Sequence, residues 1–147
     1  STAKEYKDFE LELEFRVPEN GNSGVFVRAP HEGDPAYTGS EIQVLDDTGS
    51  EYTTLLPGQH CGGLYKWSPP SRRASLLPWE WQKYHIRYVG TTVTVVLNGW
   101  TIQDNVDVSK FPEHYETNPG LKRLEGYIGL QNHGSRLEYR NLRLREL

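Results

Sequence analysis

The chain has 147 residues, 16 Lys plus Arg against 20 Asp plus Glu, and a formal net charge of −4. That length suits one domain with a sizeable core. The charges are scattered without a basic run, which argues against a nucleic-acid partner, since phosphates need a clustered positive field. No stretch approaches the roughly 20 apolar residues of a membrane-spanning helix, and the lone Cys61 rules out an internal disulfide.

The first element in chain order is a strand. Phe9, Leu11, Leu13, Phe15 and Val17 alternate with Glu10, Glu12, Glu14 and Arg16, giving one buried and one wet face. Pro18-Glu-Asn-Gly-Asn-Ser23 ends it with turn chemistry. Val25 to Arg28 is the next strand, followed by a loop, and Glu41 to Leu45 is another, closed by the turn Asp46-Asp-Thr-Gly-Ser50. Residues 51–82 read as irregular, with one short strand around Gly63-Leu-Tyr-Lys66. Lys83 to Val89 and Thr92 to Asn98 form a hairpin through Gly90-Thr91. Asn98-Gly99 signals a second tight turn into a short strand beginning Trp100-Thr-Ile. Residues 103–125 show no period and read as a long loop. The last strand runs from about Arg136 to Arg145, where the apolar phase slips from Leu137 and Tyr139 to Leu142 and Leu144; a bulge near Arg140-Asn141 would repair it. The chain is therefore expected to be all-β, a two-sheet antiparallel β-sandwich of the jelly-roll type.

Strand alternation also selects the candidate site. Glu41 and Gln43 share one side of their strand while Ile42 and Val44 share the other, and the same rule puts Gln131 with His133. With Arg28 these form an acid, two amides, an imidazole and a guanidinium, too polar for a sandwich core and suited to a groove gripping a hydroxyl-rich ligand. Asn22 lies in a Gly-bracketed stretch where backbone approaches a ligand easily. Four Trp and nine Tyr, with no Met, supply faces that stack on the C–H surfaces of sugars; Tyr65 and Trp67 are the expected walls. Glu41 is the best-placed proton acceptor. No second carboxylate has a matching position, so the paired acids of ordinary glycosidases are not evident. The five histidines show no metal-ligand spacing; no cofactor is expected, and a metal role is left open.

An ordered set of motifs carries a resemblance. Tyr6-Lys-Asp-Phe-Glu-Leu-Glu-Leu-Glu-Phe-Arg16, Gly21-Asn-Ser-Gly-Val-Phe-Val-Arg28, Glu41-Ile-Gln-Val-Leu-Asp46, Gly63-Leu-Tyr65, Glu80-Trp-Gln82, Leu97-Asn-Gly99, Gly129-Leu-Gln-Asn-His-Gly134 and Tyr139-Arg-Asn-Leu142 span nearly the whole chain. Together they resemble the 3-keto-disaccharide hydrolase domain family. The resemblance implies a concanavalin A-like sandwich over residues 1–147, starting late relative to a family that usually has an additional N-terminal segment. It also implies a carbohydrate ligand, cleavage of glycosides whose sugar carries a C3 ketone, and a periplasmic or secreted location, although no signal peptide is present. Asn132 stands where the family often has Asp. On this reading Glu41 or His133 takes the C2 proton while Arg28 and Gln43 steady the enolate. The alternative is a non-catalytic, lectin-like carbohydrate-binding module.

Overall fold

Strict apolar alternation produces β1 (Phe9–Arg16), whose Phe9, Leu11, Leu13 and Phe15 are at most 3% exposed in this computed structural model, which describes residues 1–147. Seven further strands follow: β2 (Asn22–Ala29), β3 (Ser40–Leu45), β4 (Gln82–Val89), β5 (Thr92–Leu97), β6 (Trp100–Asp107), β7 (Tyr127–Leu130) and β8 (Glu138–Glu146). One short helix, α1 (Pro35–Thr38), precedes β3. The strands form two antiparallel sheets, ordered β6-β5-β4-β1-β8 and β3-β2-β7, making the expected β-sandwich.

The core lies between the sheets. Phe9, Leu11, Leu13 and Phe15 of β1 meet Tyr84, Ile86 and Tyr88 of β4 and Val93, Val95 and Leu97 of β5. Val25, Val27, Ile42, Val44 and Ile128 of the smaller sheet close on them. Each such side chain contributes roughly 1.5–3 kcal/mol on burial. The far face of the larger sheet is a solvated charge ladder, with Glu10 pairing Arg145 and Arg87, Glu12 pairing Lys83, and Glu14 pairing Arg140. Exposed pairs of this kind fix register more than they stabilise.

The turns explain the topology. Asn98 and Gly99 both have positive φ (51° and 84°), the geometry of a tight hairpin turn between β5 and β6. The phase slip in β8 is a bulge: Glu12 faces Arg143 but Glu14 faces Arg140, and Asn141 has φ 53°. Two expectations need correction. The stretch 103–125 is not one loop, because β6 continues to Asp107, held by Gln103, whose amide donates to the Gly62 and Ser68 carbonyls. The loop before β3 contains α1, whose Asp34 caps the Ala36 N–H ahead of Pro35. No helix is long and apolar enough to cross a membrane.

Candidate functional site

The smaller sheet has an inner face of aliphatics and an outer face that carries polar side chains. Register places these in rows. Glu41 pairs with Phe26, and Phe26 with Gly129. Residues 62–65 add a short edge to β3 through the Ile42–Leu64 bridge, and the Tyr65 N–H donates to the Glu41 carbonyl, so Tyr65 stands beside Glu41. In the next row Gln43 pairs with Gly24, whose carbonyl accepts from the Gln131 N–H. Asn22 completes the face, its Oδ1 accepting from Gln43 Nε2 at 3.3 Å. Asn22, Glu41, Gln43, Tyr65 and Gln131 thus share one surface, and within it Glu41 and Gln43 lie on one side of β3 as alternation predicts.

Gly24 is the centre of this surface. The Glu41 carboxylate lies over it, so that a Cβ at Gly24 would overlap Glu41 Oε1. Glu41 is only 4% exposed. Burial, with the charge of nearby Asp34 adding to it, pushes its pKa up to about 8. No protein hydrogen bond or ion pair holds the carboxylate. Gln43 Oε1 and Gln131 Oε1 are also buried without hydrogen-bond partners. A native fold rarely leaves several polar atoms idle on one surface, and such atoms are where a ligand's hydroxyls are received. Phe26 packs with Ala29 and Ala36 beneath Tyr37 and Tyr65, and Lys66 donates to the Tyr37 hydroxyl at 2.7 Å. Gly24→Ala is expected to expel the Glu41 carboxylate into water and return its titration towards pH 4.5. Carboxylate NMR titration reads this directly, alongside an overpacking loss of about 1–3 kcal/mol in urea denaturation.

Three candidate residues lie elsewhere. Arg28 is 1% exposed. By alternation it should follow Gly24 and Phe26 onto the outer face, but the β2–β7 register shifts between Phe26 and Ala29, and Arg28 takes φ 52°. That left-handed residue turns the side chain towards the end of the sandwich. There the guanidinium donates to the Lys7 and Gly90 carbonyls at 2.7 and 2.6 Å, approaches Asp8 at 3.4 Å and lies 3.7 Å from the Tyr88 ring centre. It neither clamps a ligand at Glu41 nor pairs with it. His133 is exposed beyond the end of β7, unlike the buried Glu41. Trp67 packs against the main core, Phe111 and His114. The other tryptophans are engaged by arginines: Trp81 by Arg140 and Arg16, Trp79 by Arg16, Trp100 by Arg72.

The sequence reading did not single out Gly24, Phe26, His31, Asp34 or Tyr127. Asp34 had a usable signal, since Asp before Pro marks a helix start. Cys61 offers no nucleophile: it is buried against the Tyr84 hydroxyl and its thiol is pushed up to about 12. No group of three or more His, Cys, Asp or Glu is assembled for a metal ion.

Comparison with known proteins bears on nearly the whole chain. Residues 1–145 match the family described as 3-keto-alpha-glucoside-1,2-lyase-like domain. A Bacteroides thetaiotaomicron protein named 3-keto-disaccharide hydrolase is 32% identical over 175 aligned positions, covering 99% of this chain and 60% of that protein. This chain therefore spans less than two-thirds of that relative's length. Two crystal structures from Parabacteroides distasonis, each described as a candidate glycosyl hydrolase, share the fold. One has a TM-score of 0.88 and 29% identity over 99% of this chain and 81% of its own. The other has a TM-score of 0.85 and 25% identity over 99% and 75%. With a family match running from Ser1 almost to the end of the last strand, the chain belongs to the family of 3-keto-alpha-glucoside-1,2-lyase-like domains.

Proposed function

We propose that this domain is carbohydrate-active and cleaves glycosides of 3-keto sugars on the outer face of the β3-β2-β7 sheet, with Glu41 as the base. A ketone at C3 acidifies the proton at C2. Glu41 takes that proton, the C2–H electron pair becomes the C2=C3 bond of an enolate, and negative charge gathers on O3. The charge then re-forms the C3 carbonyl, C1=C2 forms, and the C1–O bond breaks. The leaving oxygen takes a proton, and water adds across C1=C2 to give the free 3-keto sugar. This route needs one base and donors for the enolate, not two carboxylates.

The observation that carries the reading is the buried, unpaired carboxylate of Glu41 over Gly24, with the unpartnered Oε1 atoms of Gln43 and Gln131 alongside. A pKa near 8 makes the ionised form a strong base that is still populated close to neutrality. Gln43 Oε1 and Gln131 Oε1 supply acceptors for ring hydroxyls, and Gln131 Nε2 a donor for O3. The names of the family and of the 32% identical relative agree with this substrate class.

The test is incubation with a 3-keto glycoside and its unoxidised parent, following aglycone release and, in heavy water, deuterium at C2. Release from the oxidised form alone supports the proposal. Binding of the parent with no conversion of either compound supports a lectin-like module instead, a reading favoured by the absence of a cation aimed at Glu41.

A further inference from the structure

The surface around Gly24 is closed on one side and open on the other. On the β3 side the added edge of residues 62–65 brings Tyr65 up against Glu41, with Lys66 over the Tyr65 and Tyr37 rings at 5.3 and 5.2 Å. On the β7 side it continues into a cleft of about 390 Å³ whose walls include Phe26, Pro30, His31, Tyr127, Gln131 and Asn132. Two of these walls belong to the site itself, since Phe26 is the cross-strand partner of Glu41 and the Gln131 N–H binds the Gly24 carbonyl. The floor is the backbone at Gly129, with Ser1 beside it at van der Waals distance, 3.6 Å from where a Cβ would stand. The exposed His31 ring lies on Tyr127 with centroids 3.6 Å apart.

We propose that this cleft is the leaving-group subsite and that it takes a second hexose ring, one C–H face against the His31–Tyr127 pair and its hydroxyls towards Gln131 and Asn132. The inference rests on the 3-keto glycoside reading above and assigns the part of the substrate beyond the reacting ring. Its volume lies within the roughly 300–1,000 Å³ of small-ligand sites. Its lining alternates apolar surface with amides, which matches a sugar, apolar on its ring faces and polar at its rim. A purely aromatic aglycone would leave the buried Gln131 Oε1 without a partner. The catalytic geometry points the same way. C1 adjoins C2, so with C2 at Glu41 a C1 substituent directed along the sheet finds space in the cleft towards β7.

The experiment compares kcat/KM for a 3-keto disaccharide with that for the methyl 3-keto glycoside, in wild type, His31→Ala and His31→Trp. His31→Ala is expected to lower the disaccharide-to-methyl selectivity about tenfold, the scale of one lost aromatic stacking contact, and His31→Trp to restore it. Unchanged selectivity in His31→Ala, in an enzyme that converts both substrates, overturns the subsite alone. Selectivity that falls equally in His31→Trp also overturns it, because stacking would then not be the cause. A wild type that converts neither substrate overturns the reaction and the subsite together.

Discussion

Glu41→Gln is expected to abolish turnover of a 3-keto glycoside and, in mild alkali, to make the protein more stable than wild type. Both effects come from one carboxylate. In the unfolded chain Glu41 ionises near its ordinary value of 4.5; in the folded protein burial and Asp34 hold it near 8. Below pH 4.5 both states keep the proton and the group contributes no pH dependence. Between 4.5 and about 8 the unfolded chain releases its proton first, so stability falls as pH rises, and above 8 the full penalty stands. At about 1.36 kcal/mol per pKa unit the penalty is on the order of 4–5 kcal/mol. Glutamine has no proton to lose and fills nearly the same space. Urea midpoints should therefore coincide at pH 4 and separate by several kcal/mol at pH 9, with the variant higher. The exposed carboxylates that pair with Lys or Arg on the outer ladder, such as Glu12 and Glu14, have lowered pKa values and lose stability in acid, but equally in both proteins. In kinetics kcat should drop by about 10²–10⁴, the usual share of a general base, while wild-type turnover should rise with pH up to about 8. Parallel pH–stability curves in the two proteins would show that the folded chain ionises Glu41 at no cost, and the base assignment would fail.

Glu41 and Gln43 were legible in the sequence because β3 is regular. Ile42 and Val44 face inward, no bulge intervenes, and period two carries the acid and the amide to the same side. Gln131 was legible because its backbone still follows the β7 register when it binds Gly24. Arg28, grouped with them as a polar residue at the end of its strand, lies elsewhere, and alternation along β2 would not have shown it. The rule assumes extended backbone at every step, and a single positive φ at a register shift reverses the side-chain direction, with nothing in Val-Phe-Val-Arg28 to announce it. It failed for His133 because β7 ends at Leu130, and alternation has no meaning beyond the last ladder bond. The bulge in β8 was readable from the slipping leucines and the start of β6 from Trp100-Thr-Ile, whereas the continuation of β6 to Asp107 was not, since Gln103 sits buried where an apolar residue would have kept the period. Gly24 is the instructive miss: its importance is what lies above it, and only the cross-strand partner reveals that.

Arg28→Ala is expected to cost about 3–5 kcal/mol of stability, and Arg28→Lys to recover little of it, while neither change alters KM per folded molecule. The guanidinium is a hub for chain segments far apart in sequence. It donates to the carbonyls of Lys7 and Gly90 and approaches that of Arg123 at 3.4 Å, while the Arg123 side chain donates back to the Arg28 carbonyl at 2.9 Å. Asp8, which faces Arg28, also accepts from the Gly90 N–H. Burial lowers the Arg28 pKa, with the Tyr88 hydroxyl and Asp8 opposing that shift. Alanine leaves buried carbonyls unpaired and opens a void against Tyr88, each costing roughly 1–3 kcal/mol or more. Lysine restores charge but not the planar fork, so it cannot reach several carbonyls while lying flat on an aromatic ring. Because the side chain points away from Gly24, the fraction of variant that folds should bind substrate normally and keep the pH dependence set by Glu41. Urea denaturation paired with kcat and KM corrected for folded fraction separates the possibilities. A large kcat loss in Arg28→Lys with an unmoved urea midpoint would mean that the guanidinium reaches the substrate after all, and that the turn at φ 52° is not kept when the site is occupied.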